Sequence, residues 1–259
     1  MQQPLSTNDT ESRTLVRGLE ILRLFDRERP ILTQTGIADE LGLPLPTVGR
    51  LSRALVGQGF LEVETGSRRL RLGPEVRRLA DAAPRDISED ARQWMRALND
   101  HFDEDVNIAI LDGVHALYLD AIPSTRRLGV QTALGSRALA HCTAIGKCLV
   151  AQLDEQIALD RLGAGPYERR TDKSIRRWPQ LRDELAEIRR DGISRSVEEF
   201  ELGLAGYAVP LGPGPGGIQL ALSMAIPTAR LDPDRVQEIE SALLAGPHQP
   251  IHGVDRLEH

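Results

Sequence analysis

Residues 13–29 place Leu15, Val16, Leu19, Ile21, Leu22, Leu24 and Phe25 at helical spacing, over more than a narrow stripe. The pattern predicts a helix packed on its own domain with an apolar surplus suited to a second subunit. Residues 35–41 predict a second helix with Ile37, Ala38 and Leu41 on one face and Thr35 as its N-cap. Gly42 can take the left-handed conformation that ends a helix. Leu43 wedges the turn, and Pro44 cannot continue the helix behind it. Pro46 suits the first turn of a third helix, which aligns Val48, Leu51, Ala54 and Leu55 and ends near residues 57–59. The runs 60–64 and 69–72 alternate around residues 65–68, predicting a β-hairpin with a basic tip. Helix, four-residue turn, helix and hairpin together are the ingredients of a winged helix-turn-helix. The plainer alternative is a helical hairpin with a surface ribbon; the attached wing favours DNA binding.

Gly73-Pro74 breaks the hairpin, and residues 75–83 predict a short helix with Val76, Leu79 and Ala80 on one side, closed by Pro84. The next helix, 88–102, has Ser88 as N-cap and turns Ala91, Trp94, Met95 and Leu98 inward. Residues 106–111 and 116–122 flank Asp112-Gly113 as a hairpin. Residues 128–132 read as a third strand, 143–153 and 178–190 as helices, and 193–197, 206–211 and 218–226 as strands. Asp232-Pro233 opens a closing helix to Leu244. Strand pairs mixed with helices imply an α+β domain on an antiparallel sheet. The expected organisation is a disordered tail at 1–12, a winged helix-turn-helix at 13–73, a linker helix at 74–87 and a sensor domain at 88–250.

Charge sharpens this division. The 259-residue chain carries a net charge of −6, yet residues 13–85 hold 13 arginines against 9 acids, a net of +4. Residues 86–259 hold 19 basic residues against 27 acids, a net of −8. One end suits phosphate and the other repels it. No apolar run is long enough to span a bilayer, and no signal peptide precedes the first helix. Two cysteines without a repeated CxxC predict a reducing cytoplasm and argue against a structural zinc site.

In the third helix the outward candidates for DNA are Pro46, Thr47, Gly49, Arg50 and Arg53, joined by Thr35 in the helix before it. Thr47 and Arg50 can reach bases or phosphates, and Arg53 lies later, toward phosphate. Arg68, Arg69 and Arg71 in the wing would serve backbone phosphates or a minor groove. In the second domain there is no Walker A run. His141-Cys142-Thr143 precedes a helix, where a thiol pKa falls and anions are attracted, but adjacent residues rarely form a catalytic pair. The plain reading is a packed cysteine. His101, Asp103, Glu104 and Asp105 form an acidic knot read as a solvated helix end. The stronger reading is a small-ligand pocket: free N–H groups at Ala144 and Ile145 suit a carboxylate, with Ser196, Ser223, Val130, Leu134 and Leu204 converging there if the strands pair as drawn.

Several stretches together resemble the IclR family of bacterial transcriptional regulators over nearly the whole chain. They are Arg17-Gly18-Leu19-Glu20-Ile21-Leu22, the run from Gly42 to Leu51, Gly59-Phe60-Leu61, the run from His141 to Lys147, and Glu198-Glu199-Phe200-Glu201-Leu202-Gly203. Ala221-Leu222-Ser223-Met224 with Pro227 and Arg230 completes the set. The resemblance implies a winged helix-turn-helix, a linker helix and a GAF-like effector domain. It also implies dimers, often paired into tetramers, on pseudo-palindromic operators. Family pockets use the backbone at the helix start, here Ala144 and Ile145, and a polar residue before the Glu-Glu pair, here Ser196. They also use the position held by Gly206, and the last strand's Ser223 and Ala225. This chain departs from acid-binding relatives with Ser196 in place of an acid, Gly206 in place of a thiol and Ala225 in place of a hydroxyl. The pocket is therefore expected to be less polar and roomier than a very small carboxylate needs. Leu45, Pro46 and Gly49 replace the family's basic, hydroxyl and histidine types, so base readout leans on Thr47, Arg50 and DNA shape.

Three functions from different classes follow. The first is a ligand-responsive transcription factor, repressing or activating, with no cofactor. The second is a thiol or metal sensor using His141, Cys142 and Cys148. The third is an enzyme on a GAF-like scaffold, which lacks an assembled acid, base and nucleophile.

Overall fold

The computed structural model describes residues 12–26, 29–82, 87–127, 129, 130 and 132–247. Contacts divide the chain into two compact units, Met1–Pro84 and Arg85–His259.

In the first unit, α1 (Arg13–Arg23) is capped by Ser12, and α2 (Gln34–Leu41) ends at Gly42, whose φ is 61°. α3 (Leu45–Gly57) follows with Pro46 in its first turn. Strands β2 (Leu61–Val63) and β3 (Leu70–Leu72) form the wing, and β1 (Ile31–Leu32) adds a third strand in the antiparallel order β1-β3-β2. α4 (Pro74–Ala82) closes the unit. Ile21, Phe25, Ile37, Val48, Leu51, Leu61 and Leu70 fill the core. Gly73 is required where the wing meets α4: a Cβ there would lie 2.2 Å from the Gly59 carbonyl oxygen.

Several details differ from the pattern reading. α1 stops at Arg23, and a turn takes over in which Asp26 Oδ1 accepts the Arg29 amide at 2.6 Å; Arg27 and Glu28 lie outside the described residues. The N-cap of α2 is Thr33, not Thr35, because the Thr33 hydroxyl accepts the Gly36 amide at 3.0 Å. Ala54 faces solvent, and Ser52 takes the buried position. Leu79 and Ala80 of α4 are also exposed.

The second unit is a six-stranded antiparallel sheet in the order β6-β5-β4-β9-β8-β7. Its strands are β4 (Asp105–Asp112), β5 (His115–Ile122), β6 (Arg137–Leu139), β7 (Ser194–Val197), β8 (Leu204–Pro213) and β9 (Gln219–Pro227). Helices α5 (Glu89–Phe102) and α9 (Pro233–Ala245), capped by Ser88 and Asp232, supply Trp94, Met95, Leu98, Phe102, Ile239 and Leu243 to a core that covers one face. From the sheet that core takes Val106, Ile108, Tyr207, Leu222 and Met224. The alternate positions, among them Ala109, Ala208 and Ala221, pack on α6 (Ala144–Ala151). Small side chains in the sheet let α6 sit close. Behind α6 lie α7 (Glu155–Leu162) and α8 (Trp178–Asp191), with Trp178, Leu181 and Leu185 in a second apolar layer. Every residue of α6 is consequently buried, Lys147 included.

The third strand expected at residues 128–132 is absent from the described residues of that stretch. Gly129, Val130 and Thr132 carry no strand, and Leu128 and Gln131 lie outside the described residues. The Asp105 carboxylate takes the Val130 amide at 3.0 Å, so a side chain instead of a ladder holds this segment. β6 pairs with β5 in that role. The expectations for residues 1–11, 83–86 and 248–250 also lie outside the described residues.

Candidate DNA-binding and effector-binding sites

α3 presents Pro46, Arg50 and Arg53 to solvent, and Thr35 in the first turn of α2 is also exposed. Thr47 is half-buried. Gly49 faces α2 rather than solvent: a Cβ there would meet Gln34 Oε1 at 3.5 Å. Arg50, Arg53 and Arg68 form no ion pair among the described residues. The other two wing arginines are engaged, Arg69 with Glu64 and Arg71 with Glu62, each at 2.7 Å. Leu15 and Leu19 of α1 stand 62% and 47% exposed, so the apolar surplus predicted for this helix is real.

In the second unit, Thr143 caps α6 by accepting the Gly146 amide at 3.3 Å, and its carbonyl accepts the Lys147 amide at 2.9 Å. The amides of Ala144 and Ile145 have no partner among the described residues, as helix geometry dictates for a first turn. Gly146 is sterically forced, because a Cβ would lie 2.4 Å from Ala140 Cα in the 3-10 turn Ala140–Cys142. Ala144 sits over Gly206: a Cβ on Gly206 would stand 3.2 Å from Ala144 Cβ and 3.9 Å from Ala144 N.

The strand register gathers most of the predicted residues beneath this helix start. Ser196, Gly206, Ala225 and Asp105 form one row across β7, β8, β9 and β4, and Ser194, Ala208, Ser223 and Asn107 form the next. The Ser196 hydroxyl donates to the Cys142 carbonyl at 3.1 Å, tying β7 to the segment that leads into α6. Leu204 is half-buried at the start of β8, and Val130 is half-buried on the loop held by Asp105. Leu134 stands apart, 39% exposed in a turn. Ala144 already occupies the space above Gly206, so the glycine admits the helix start instead of widening the pocket there.

Sequence reasoning passed over Asn107 and Tyr118 and placed Asp105 in a solvated helix end; all three are on the face that carries α6. The only signal was polar residues interrupting apolar strands. The acidic knot is also no solvated helix end. Glu104 and Asp105 are each 1% exposed, and Glu104 forms a two-bond pair with Arg230. Asp103 caps α5 with φ 50° and binds the Thr125 amide at 2.8 Å and Arg126 Nε at 3.0 Å. Those bonds hold its carboxyl down at about 2.

Burial pushes both thiols, Cys142 and Cys148, up to about 12, the opposite of a reactive thiolate. The two remain unbridged. His141 is buried, its Nε2 bonded to the Glu168 carbonyl at 2.9 Å and its ring tilted on Tyr167 at 4.9 Å. No group of three potential metal ligands occurs among the described residues. Lys147 is fully buried against Glu184 and Glu199; burial is the chief cause that raises the Glu199 carboxyl. No described helix is long and apolar enough to cross a membrane.

A winged helix-turn-helix followed in one chain by an α+β domain is the architecture of a DNA-binding transcriptional regulator. Comparison with known proteins agrees. Residues 14–65 match the model of the IclR helix-turn-helix domain, and residues 81–250 match the bacterial transcriptional regulator IclR C-terminal model. The chain belongs to the IclR family, with an N-terminal DNA-binding domain and a C-terminal effector-binding domain. It is 30% identical over 242 residues to the HTH-type transcriptional regulator Rv1719 of Mycobacterium tuberculosis, covering 92% of each chain. It is 26% identical to the Pca regulon regulatory protein of Pseudomonas putida, covering 90% of this chain and 80% of that one. The crystal structure of an IclR family transcriptional regulator from Brucella abortus, 26% identical, matches with a TM-score of 0.72 over 96% of this chain and 95% of that one. An IclR homolog from Microbacterium hydrocarbonoxydans, solved in complex with 4-hydroxybenzoate, shares the fold at 23% identity with a TM-score of 0.71, covering 89% of this chain and 96% of that one.

Proposed function

We propose that this regulator binds operator DNA through residues 13–73, chiefly by Arg50, Arg53 and Arg68. Residues 74–87 link it to residues 88–250, which bind a small organic carboxylate at the start of α6. The observation that carries the effector site is the pair of amides, Ala144 and Ile145, that have no partner among the described residues and lie over Gly206 beside Ser196, Ser223 and Ala225. Two N–H groups at the positive end of a helix suit a carboxylate. The 4-hydroxybenzoate of the Microbacterium homolog is an acid of this kind. The exposed apolar side of α1 supports a homodimer, and dimers pairing again would suit two-fold operators. The protein works in the cytoplasm, where its DNA is, and has no catalytic step to perform. Effector binding regulates only through a difference in affinity between two arrangements of the DNA-binding domains.

Ala144→Pro tests the effector site. Proline is tolerated at the first helical position, and Thr143 already has the extended backbone (φ −121°, ψ 144°) that a following proline demands. The substitution removes one amide proton and puts ring carbon in the seat of the anion. In a thermal-shift screen of small aromatic and aliphatic acids against the full chain, the acids that stabilise wild type should no longer stabilise Ala144→Pro. An undiminished shift in the variant would remove the α6 start from the site.

A further inference from the structure

We propose that Asn107 is a specificity-determining residue: it hydrogen-bonds a hydroxyl on the effector remote from the carboxylate, so the sensor domain selects hydroxylated organic acids over their unhydroxylated counterparts. The inference rests on the carboxylate reading of the α6 start.

Asn107 is 1% exposed, and its Oδ1 is buried without a hydrogen-bond partner among the described residues. A buried amide oxygen left unbonded in mid-strand requires an explanation, because native interiors satisfy nearly all such groups. The pleat settles which way the residue stands. Its neighbours Val106 and Ile108 belong to the core under α5 and α9, whereas Ala109, two residues on, packs with Ala144 and Ile145. Asn107 is therefore on the α6 side of β4. Across the ladder it is level with Ser223, whose hydroxyl also has no partner among the described residues. Tyr118, one strand over and on the same face, packs against the Ala109–Ala144 cluster. Burial pushes its phenol up to about 12, so it remains a neutral donor.

The α6 face thus has two poles. At one, two amides offer positive potential. At the other, uncharged polar groups wait in an apolar setting. A hydroxyl suits the second pole because it donates and accepts at once, and so satisfies either end of the amide. Asp105 Oδ2, in the neighbouring row, already accepts the Val130 amide. Two strand spacings and a two-residue step put the Cα atoms of Gly206 and Asn107 about 12 Å apart. A ligand seated under α6 reaches Asn107 only if it is larger than a very small carboxylate, which agrees with Ser196 and Ala225 standing in place of the acid and the hydroxyl.

Titration calorimetry on the full-length chain tests this with two matched pairs, benzoate against 4-hydroxybenzoate and butanoate against 4-hydroxybutanoate. In at least one pair the hydroxylated member should bind wild type about tenfold tighter or more. Asn107→Leu should bring that ratio close to one while melting no lower than wild type, since an apolar side chain of similar shape removes the orphaned amide. Asn107→Ser, which retains a hydroxyl, should keep part of the preference. If acids bind without any preference for the hydroxylated member, or if the preference survives in Asn107→Leu, the inference is overturned while the α6 pocket stands. If none of the four acids binds, the carboxylate reading and this inference fall together.

Discussion

Replacing Arg53 with glutamine removes a positive charge that nothing else in the described structure uses. Arg53 is exposed on α3, late enough in the helix to face the sugar-phosphate backbone, and has no ion pair among the described residues. Each phosphate contact releases counterions and contributes about 0.9 to the slope of log affinity against log salt. The proposed homodimer would place two copies of Arg53 on the duplex, so the substitution should lower that slope by about 1.8. Between 50 and 200 mM salt, wild type should then lose roughly tenfold more affinity than the variant. Arg69 offers an internal contrast. It is paired with Glu64 at 2.7 Å and must exchange that partner for phosphate. Arg69 is exposed and Glu64 half-buried, so the exchange costs about 1 kcal/mol, and it makes Arg69→Gln the milder substitution. Fluorescence anisotropy on random-sequence duplex measures the slopes and needs no operator sequence. A slope for Arg53→Gln equal to wild type, or a larger loss for Arg69→Gln, would refute the assignment of α3 as the phosphate-gripping helix.

Gly73→Ala should destabilise the winged unit by about 1–3 kcal/mol, because the new Cβ would stand 2.2 Å from the Gly59 carbonyl oxygen; urea unfolding measures the loss, and wild-type stability would count against the tight crossing. Lys147→Met should cost about 3–5 kcal/mol by leaving Glu199 and Glu184 without their shared cation. Adding Glu199→Leu to that variant should recover part of the loss, and denaturant midpoints decide. The Asp103 carboxyl is held below its ordinary 3.8, to about 2, so the stability it lends is fully present above 3.8 and is lost as pH falls through 2. Exchange of the Thr125 amide should accelerate over that window, and Asp103→Ala should show the fast exchange at every pH. Both cysteines should resist Ellman's reagent at pH 8 in the folded chain and react on unfolding; rapid native labelling of Cys142 would revive a thiol sensor.

The DNA-binding half was legible because its signals are local. Gly42 closing α2, Pro46 opening α3 and the alternation around the wing each act through neighbouring residues, so a linear reading finds them. The capping residue of α2 was misplaced by two positions because Thr33 and Thr35 look alike until the Gly36 amide chooses between them. In the sensor domain the caps Ser88 and Asp232 and the hairpin of β4 and β5 were equally local. What no linear pattern carries is the row of partners across a sheet. Ser196, Gly206, Ala225 and Asp105 are level only because β7, β8, β9 and β4 pair in one register. Lys147 is buried because α7 and α8 close over α6, and Asn107 lost its water because a helix far along the chain covers its face of the sheet. Local stereochemistry wrote the elements into the chain. Long-range packing alone chose which polar groups would be sealed away, because burial depends on what arrives from elsewhere in the sequence.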